Sequence, residues 1–273
     1  KTHLARSKHA RPLVVFDEIH KQKNWKNILK GLYDIHREEA QFLVTGSARL
    51  DYFQRSGDSL AGRYFAFKLL PLGPAEAAQR LEIPLSDDGP LAHPDKERLL
   101  RRVLSLEKAS FTKTLDRLLA FGGFPEPFLK ADPRFTVNWR RSYSTLLIRE
   151  DLRDLTRIHD IRGLEQLAML LPERVGSPLS INALREDLQV NHRTAAAWLE
   201  ALKKIYMIFS LPPWHHRIHR AMKKEHKVYF MDWSMAPEGG PRFENMLAVL
   251  LLKAANRWSE LGLGNYDLHF VRT

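Results

Sequence analysis

Two adjacent carboxylates, Asp17 and Glu18, close a short apolar run, Leu13-Val14-Val15-Phe16. The pattern is that of a fully buried strand that delivers its acids to one edge of a sheet. In open α/β sheets the carboxyl edge is where ligands sit. An aspartate there can hold Mg²⁺, and a glutamate beside it can orient or deprotonate a water. A second apolar run, Gln41-Phe42-Leu43-Val44, ends in Thr45-Gly46-Ser47. That run places the hydroxyls of Thr45 and Ser47 at the end of the neighbouring strand. Downstream, Ser59-Leu60-Ala61-Gly62-Arg63 sets a glycine before an arginine. A planar, permanently charged guanidinium suits developing phosphoryl charge.

These groups need a scaffold. Between the two apolar runs, Trp25, Ile28, Leu29, Leu32 and Ile35 recur at helical spacing. A third short strand is expected from Tyr64 to Leu70, stopped by Pro71 and Pro74. Strand, helix and strand in this order read as half of a parallel α/β sheet. Pro84 to Pro94 reads as a loop, and Asp95 to Arg162 as mainly helical, broken at Gly122-Gly123-Phe124-Pro125 and near Asp132-Pro133. From Leu164 a new pattern begins. One helix carries Leu164, Leu167, Ala168 and Leu171. A second is capped by Ser180, and a third is capped by Asn191 with Ala195, Trp198, Leu199, Leu202 and Ile205 inward. Two β-prone runs follow, Met207 to Leu211 and Lys227 to Met231. Three helices and a hairpin make a winged helix-turn-helix pattern. A last helix starts at Arg242, and a strand-like run covers Leu268 to Val271. The expected fold is α/β plus α. Its parts are half of an ATPase-type sheet over 1–76, a helical segment over 77–162, a winged helix over 163–236, and the start of a third α/β domain over 237–273.

The acidic pair at a strand end is the Walker B arrangement of P-loop proteins. The partner motif G-x-x-x-x-G-K-[ST] does not occur, and no glycine is followed by lysine. Even so, the ordered set is similar to a prokaryotic family of AAA+-type ATPases. It comprises Phe16-Asp17-Glu18-Ile19, Trp25, Leu43-Val44-Thr45-Gly46-Ser47, Ser59 to Arg63, Leu70-Pro71-Leu72 with Glu76, Gly122 to Glu126, Arg149-Glu150-Asp151, Lys227 to Asp232 and Phe243-Glu244-Asn245. That family joins a P-loop ATPase domain to a winged helix and an uncharacterised C-terminal domain of nuclease-like fold. The resemblance implies that Asp17 holds Mg²⁺, Glu18 activates water, Thr45 or Ser47 senses the γ-phosphate, and Arg63 neutralises charge in cis or in trans. It also implies that both ends of the chain are incomplete and that the chain alone turns over ATP negligibly. Of the family's nuclease-like part only Glu244 and the run near Phe270 remain, and Glu225-His226-Lys227 spells E-x-K by chance.

Net charge is +11, compatible with nucleic acid or acidic partners as well as with a solvated surface. The third helix of the winged pattern offers Arg193 and Lys204, and the wing offers Arg217, Arg220, Lys223 and Lys224. The wing can grip the phosphates of duplex DNA, and residues at the start of the third helix, Arg193 among them, can reach base edges. The opposing reading is a lid that contacts a protein client. His215, His216 and His219 lack a nearby acid to complete a metal site. There is no cysteine, so thiolate metal sites and disulfides are excluded. No run approaches the roughly 20 apolar residues of a membrane helix, and a cytoplasmic location is expected. The function expected is Mg²⁺-dependent ATP hydrolysis by the intact protein, coupled to movement of the winged helix. The alternatives are a nucleic-acid-binding module with an ATPase-like scaffold and, more remotely, a nuclease.

Overall fold

The structure is a computed structural model and describes residues 11–46, 62–78, 108–151, 160–214 and 225–271. It begins with a β-α-β unit. Strand β1 (Leu13–Phe16), helix α1 (Trp25–His36) and strand β2 (Gln41–Val44) are consecutive, and β1 pairs β2 in parallel with Leu13 opposite Gln41 and Phe16 opposite Val44. Parallel strands need a crossover, and α1 provides it. Val14, Phe16, Phe42 and Val44 turn toward α1, where Phe16 stacks on Phe42 at 6.3 Å between centroids and Tyr33 meets Phe42 edge-on.

The strands are not buried on both faces. Leu13 is 43% exposed, Val15 40% and Leu43 47%, so burial alternates along each strand. Among the described residues only α1 covers this two-stranded sheet, on one face, and a side-chain period of two then leaves every second residue outside. Ile28 and Ile35 of α1, part of the helical-spacing pattern, are also exposed. Tyr64 to Leu70 has no regular secondary structure and pairs with no strand among the described residues. Phe65, Phe67 and Leu69 of this run are exposed.

The run continues into a strap that is fastened to the rest of the molecule. Leu72 N–H donates to Gly123 O at 2.7 Å. Lys253 Nζ donates to Pro71 O at 2.8 Å and pairs with Glu76. Lys68 N–H donates to Glu260 Oε1 at 2.9 Å. A single turn, α2 (Pro74–Ala77), ends the strap. Helices α3 (Lys108–Phe121), α4 (Pro125–Lys130) and α5 (Pro133–Leu146) follow, with breaks where the glycines and Asp132-Pro133 stand. Asp132 caps α5 by accepting from Phe135 N.

Three further helices, α6 (Ile161–Leu170), α7 (Ile181–Leu188) and α8 (His192–Lys204), precede strands β3 (Ile208–Leu211) and β4 (Lys227–Phe230), which pair antiparallel. Ser180 accepts from Ala183 N and Asn191 from Thr194 N, so the side-chain caps stand where expected. Leu164, Leu167, Leu184, Trp198, Leu202 and Ile205 are buried in one core with Phe230 and Trp233, and Ala195 is buried as well. Pro178 forms an antiparallel bridge to Lys227, which adds a third short piece to the hairpin. The last helix, α9 (Gly240–Glu260), packs on β4: Asn245, fully buried, accepts from Phe230 N at 2.9 Å and donates to Phe230 O at 2.7 Å. The run Leu268 to Val271 forms only an isolated bridge from Phe270 to Pro213, not a strand.

The glycine pair expected to break the helices also lets two parts of the chain meet. Gly122 has φ +82°, and a Cβ there would lie 2.4 Å from Asp232 Oδ1. A Cβ on Gly123 would lie 2.3 Å from the Trp233 ring. Trp233 Nε1 donates to Leu118 O at 2.7 Å. No helix among the described residues is long and apolar enough to cross a membrane.

Candidate functional site

Asp17, Glu18 and Thr45 meet at the carboxyl edge of the β1–β2 sheet. Parallel pairing brings this about, because the two strands end side by side. The ladder runs one step past the strands: Thr45 N–H donates to Phe16 O at 2.9 Å and Glu18 N–H to Thr45 O at 3.1 Å. The Thr45 hydroxyl donates to Asp17 Oδ1 at 2.5 Å, at the short end of charge-assisted hydrogen bonds.

Glu18 takes the left-handed conformation, φ 52° and ψ 35°, and starts a 3-10 turn over Ile19–Lys21. A left-handed non-glycine residue costs on the order of 1–3 kcal/mol, and such residues cluster at functional sites. The turn brings Lys21 Nζ to 3.2 Å from Glu18 Oε2. Among the described residues no set of three or more His, Cys, Asp or Glu side chains converges as a metal cage. Asp17 and Thr45 therefore offer two oxygen donors, the kind of partial set that suits a cation shared with phosphate oxygens.

Arg63 is elsewhere. Its Nε donates to Asp34 Oδ1 at 3.0 Å. Asp34 lies in the last turn of α1, and α1 runs back from the acids to the start of β2. Nine residues separate Asp34 from Trp25, about 13 Å along the axis. The contact thus places Arg63 near the amino ends of the strands, and the structure does not bring it to the acid pair. An open cleft of about 280 Å³ lies at that same end, lined by Pro12, Val14, Phe16, Leu32, His36 and Phe42 among others. Asp17, Glu18 and Thr45 are not among its lining residues.

On α8, Arg193 and Lys204 are both exposed. They are eleven residues apart, close to three turns, so they share one side of the helix about 16 Å apart. Lys203 is engaged by Glu200 at 2.7 Å. Ser47, Arg217, Arg220, Lys223 and Lys224 lie outside the described residues, as do His215, His216 and His219. Glu244 accepts from Tyr229 OH at 2.8 Å and from Lys227 Nζ at 3.0 Å, so it fastens α9 to the hairpin. Burial and this hydrogen bond push the Tyr229 hydroxyl well above its ordinary pKa.

Three features escaped sequence reasoning. Lys21, at i+3 from Glu18, was within reach of a spacing argument. Asp34 was not, since 29 residues separate it from Arg63. The third is a polar cluster beneath the glycine pair. Asp232 is 2% exposed, and its Oδ1 accepts from Ser234 N at 3.0 Å while Arg140 NH1 donates to Ser234 O at 2.7 Å. Burial, set against the attraction of Arg140 and Arg242, raises the Asp232 carboxyl above its ordinary pKa.

Residues 112–238 match a domain of unknown function, DUF8612. An uncharacterized protein of Mycobacterium tuberculosis is 24% identical over 220 residues, which are 81% of this chain and 42% of that protein. A Mycobacterium bovis protein, also uncharacterized, gives the same figures. An uncharacterized protein of Methanocaldococcus jannaschii is 25% identical over 201 residues, 72% of this chain and 42% of its own length. The chain thus spans less than half the length of these curated relatives. No solved structure matches. Residues 1–78 match the model of an AAA domain, which supports an AAA-like ATPase fold in the part of the chain that contains Asp17, Glu18 and Thr45.

Proposed function

We propose that the β-α-β unit is the acidic half of a nucleotide-hydrolysing centre, and that the whole protein binds ATP with Mg²⁺ and hydrolyses it. The observation that carries this reading is the Thr45–Asp17 hydrogen bond at the sheet's carboxyl edge, with Glu18 beside it. The donor set fits Mg²⁺, which takes one or two carboxylates and completes its shell with water and phosphate oxygens. Asp17 would hold the ion directly or through water; bound there, it would neutralise charge on the β- and γ-phosphates. Glu18 would accept the proton of the attacking water, exchanging its exposed partner Lys21 for that water, a small cost for a surface pair. Thr45 would orient the water or the γ-phosphate, with Ser47 as the other candidate.

The position of Arg63 favours action in trans. Bonded to Asp34, it is about the length of α1 from its own acids, so it would meet the phosphates of a second copy. Movement there would pass through the strap to Gly123 and α9, which couples nucleotide state to the helices and hairpin. In the full-length protein, Glu18→Gln should keep ATP binding and lose turnover by about 10²-fold or more. Comparable turnover would return Glu18 to the role of a turn-starting residue. Mixing Glu18→Gln with Arg63→Ala subunits should recover part of the activity if Arg63 acts in trans, and none if it acts in cis.

A second reading has its own observation. The order of helices α6 to α8, the hairpin and the Pro178 bridge supports reading this module as a winged helix, and Arg193 and Lys204 share an exposed side of α8. That surface suits the phosphates of duplex DNA, with Arg217, Arg220, Lys223 and Lys224 as wing contacts. A lid that docks on a protein client is the alternative use of the same module.

A further inference from the structure

Asp34 stands where a helix least tolerates it. Aspartate is a poor helix former, and a negative charge in the last turn opposes the helix dipole. Local rules broken without local compensation point to a functional demand. The other acids near this helix end are engaged elsewhere: Glu38 pairs with Arg11 and Arg37, and Glu39 with His36. Asp34 alone among them holds Arg63, at 3.0 Å. Gly62, just before Arg63, has φ +76°, a conformation that favours glycine.

We propose that Asp34 is a positioning residue that presents the Arg63 guanidinium to the nucleotide of a second copy; this rests on the reading of Arg63 given above. The bond to Asp34 uses Nε. The two terminal amino groups are the ones that would meet phosphate oxygens, in the forked geometry arginine uses for them. Asp34 thus narrows the orientations of a long side chain before the partner arrives, and the benefit appears only when charge develops on the phosphates.

The test is steady-state ATP turnover of the full-length protein. Arg63→Ala should lower kcat by about 10³-fold. Asp34→Asn should lower kcat by about two- to fivefold, the worth of an exposed ion pair, with KM for ATP unchanged. Asp34→Glu should restore most of the loss. In the Arg63→Ala background, Asp34→Asn should have no further effect. If Arg63→Ala lowers turnover while Asp34→Asn does not, the positioning role is overturned and the reading of Arg63 stands. If Asp34→Asn lowers turnover in the Arg63→Ala background as well, Asp34 acts on the fold and the proposal also falls. Should Arg63→Ala itself leave kcat intact, the reading of Arg63 fails, and the proposal with it.

Discussion

Gly31 lies inside α1 and Gly163 in the first turn of α6, and the structure predicts opposite signs for the same substitution. Intrinsic propensity favours alanine over glycine in a helix by about 0.8–1.0 kcal/mol. At Gly31, in α1, a Cβ would meet nothing within 4 Å, so Gly31→Ala should stabilise by about that amount. At Gly163, in α6, a Cβ would fall 2.0 Å from one carbon of the Trp198 ring and within 2.7 Å of two more. Trp198 is 4% exposed and set in the core, so its ring has little room to retreat. Overpacking costs about 1–3 kcal/mol, and a clash this close against a rigid ring belongs at the upper end. After the propensity gain is subtracted, Gly163→Ala should destabilise by roughly 1–2 kcal/mol. Urea unfolding followed by tryptophan fluorescence measures both variants against the parent. A double variant with Trp198→Leu should lose most of the penalty specific to Gly163→Ala, which a double-mutant cycle isolates. A Gly163→Ala protein as stable as the parent would refute the α6–α8 contact, and with it the placement of α8 on which the Arg193 surface depends.

Two further outcomes follow from charge. The Asp232 carboxyl is raised by burial, so above the ordinary aspartate pKa the unfolded chain releases a proton that the folded chain keeps. Its contribution is therefore a loss of stability as pH rises from about 4 toward the raised value, with a slope of at most about 1.4 kcal/mol per pH unit. Unfolding free energies across pH 4–8 should show that component in the parent and lose it in Asp232→Asn, and a parallel dependence in both proteins would contradict the burial argument. If the α8 and wing surface holds duplex DNA through about six phosphate contacts, affinity should fall by about 10³-fold or more between 50 and 200 mM salt. Reversing Arg193 and Lys204 should weaken binding to different sequences alike if both contact phosphates. Fluorescence anisotropy across a salt series reads this, and no binding at low salt would favour the protein-docking lid.

Asp17, Glu18 and Thr45 were legible in the sequence because the determinants are local. Each stands at the end of an apolar run, and parallel pairing of two such runs leaves no other place for the three side chains. The caps Ser180 and Asn191 and the buried stripe of α8 were legible for the same reason: periodicity and side-chain hydrogen bonds to the next turn act within a few residues. The exposed outer face of β1 and β2 was not legible, since an apolar run states what a strand can bury and not whether a layer covers it. Tyr64 to Leu70 has strand composition, but a strand exists only when another backbone pairs with it. Phe243-Glu244-Asn245 and Gly122-Gly123 are visible as motifs in the sequence, yet their contacts with β4, Asp232 and Trp233 join segments far apart in the chain. Arg63 shows the limit most plainly. Its type and the glycine before it make it a candidate for a phosphate, while its distance from the acids and its bond to Asp34 were decided by how α1 packs back along the sheet, because long-range electrostatic pairing follows spatial position and not sequence spacing.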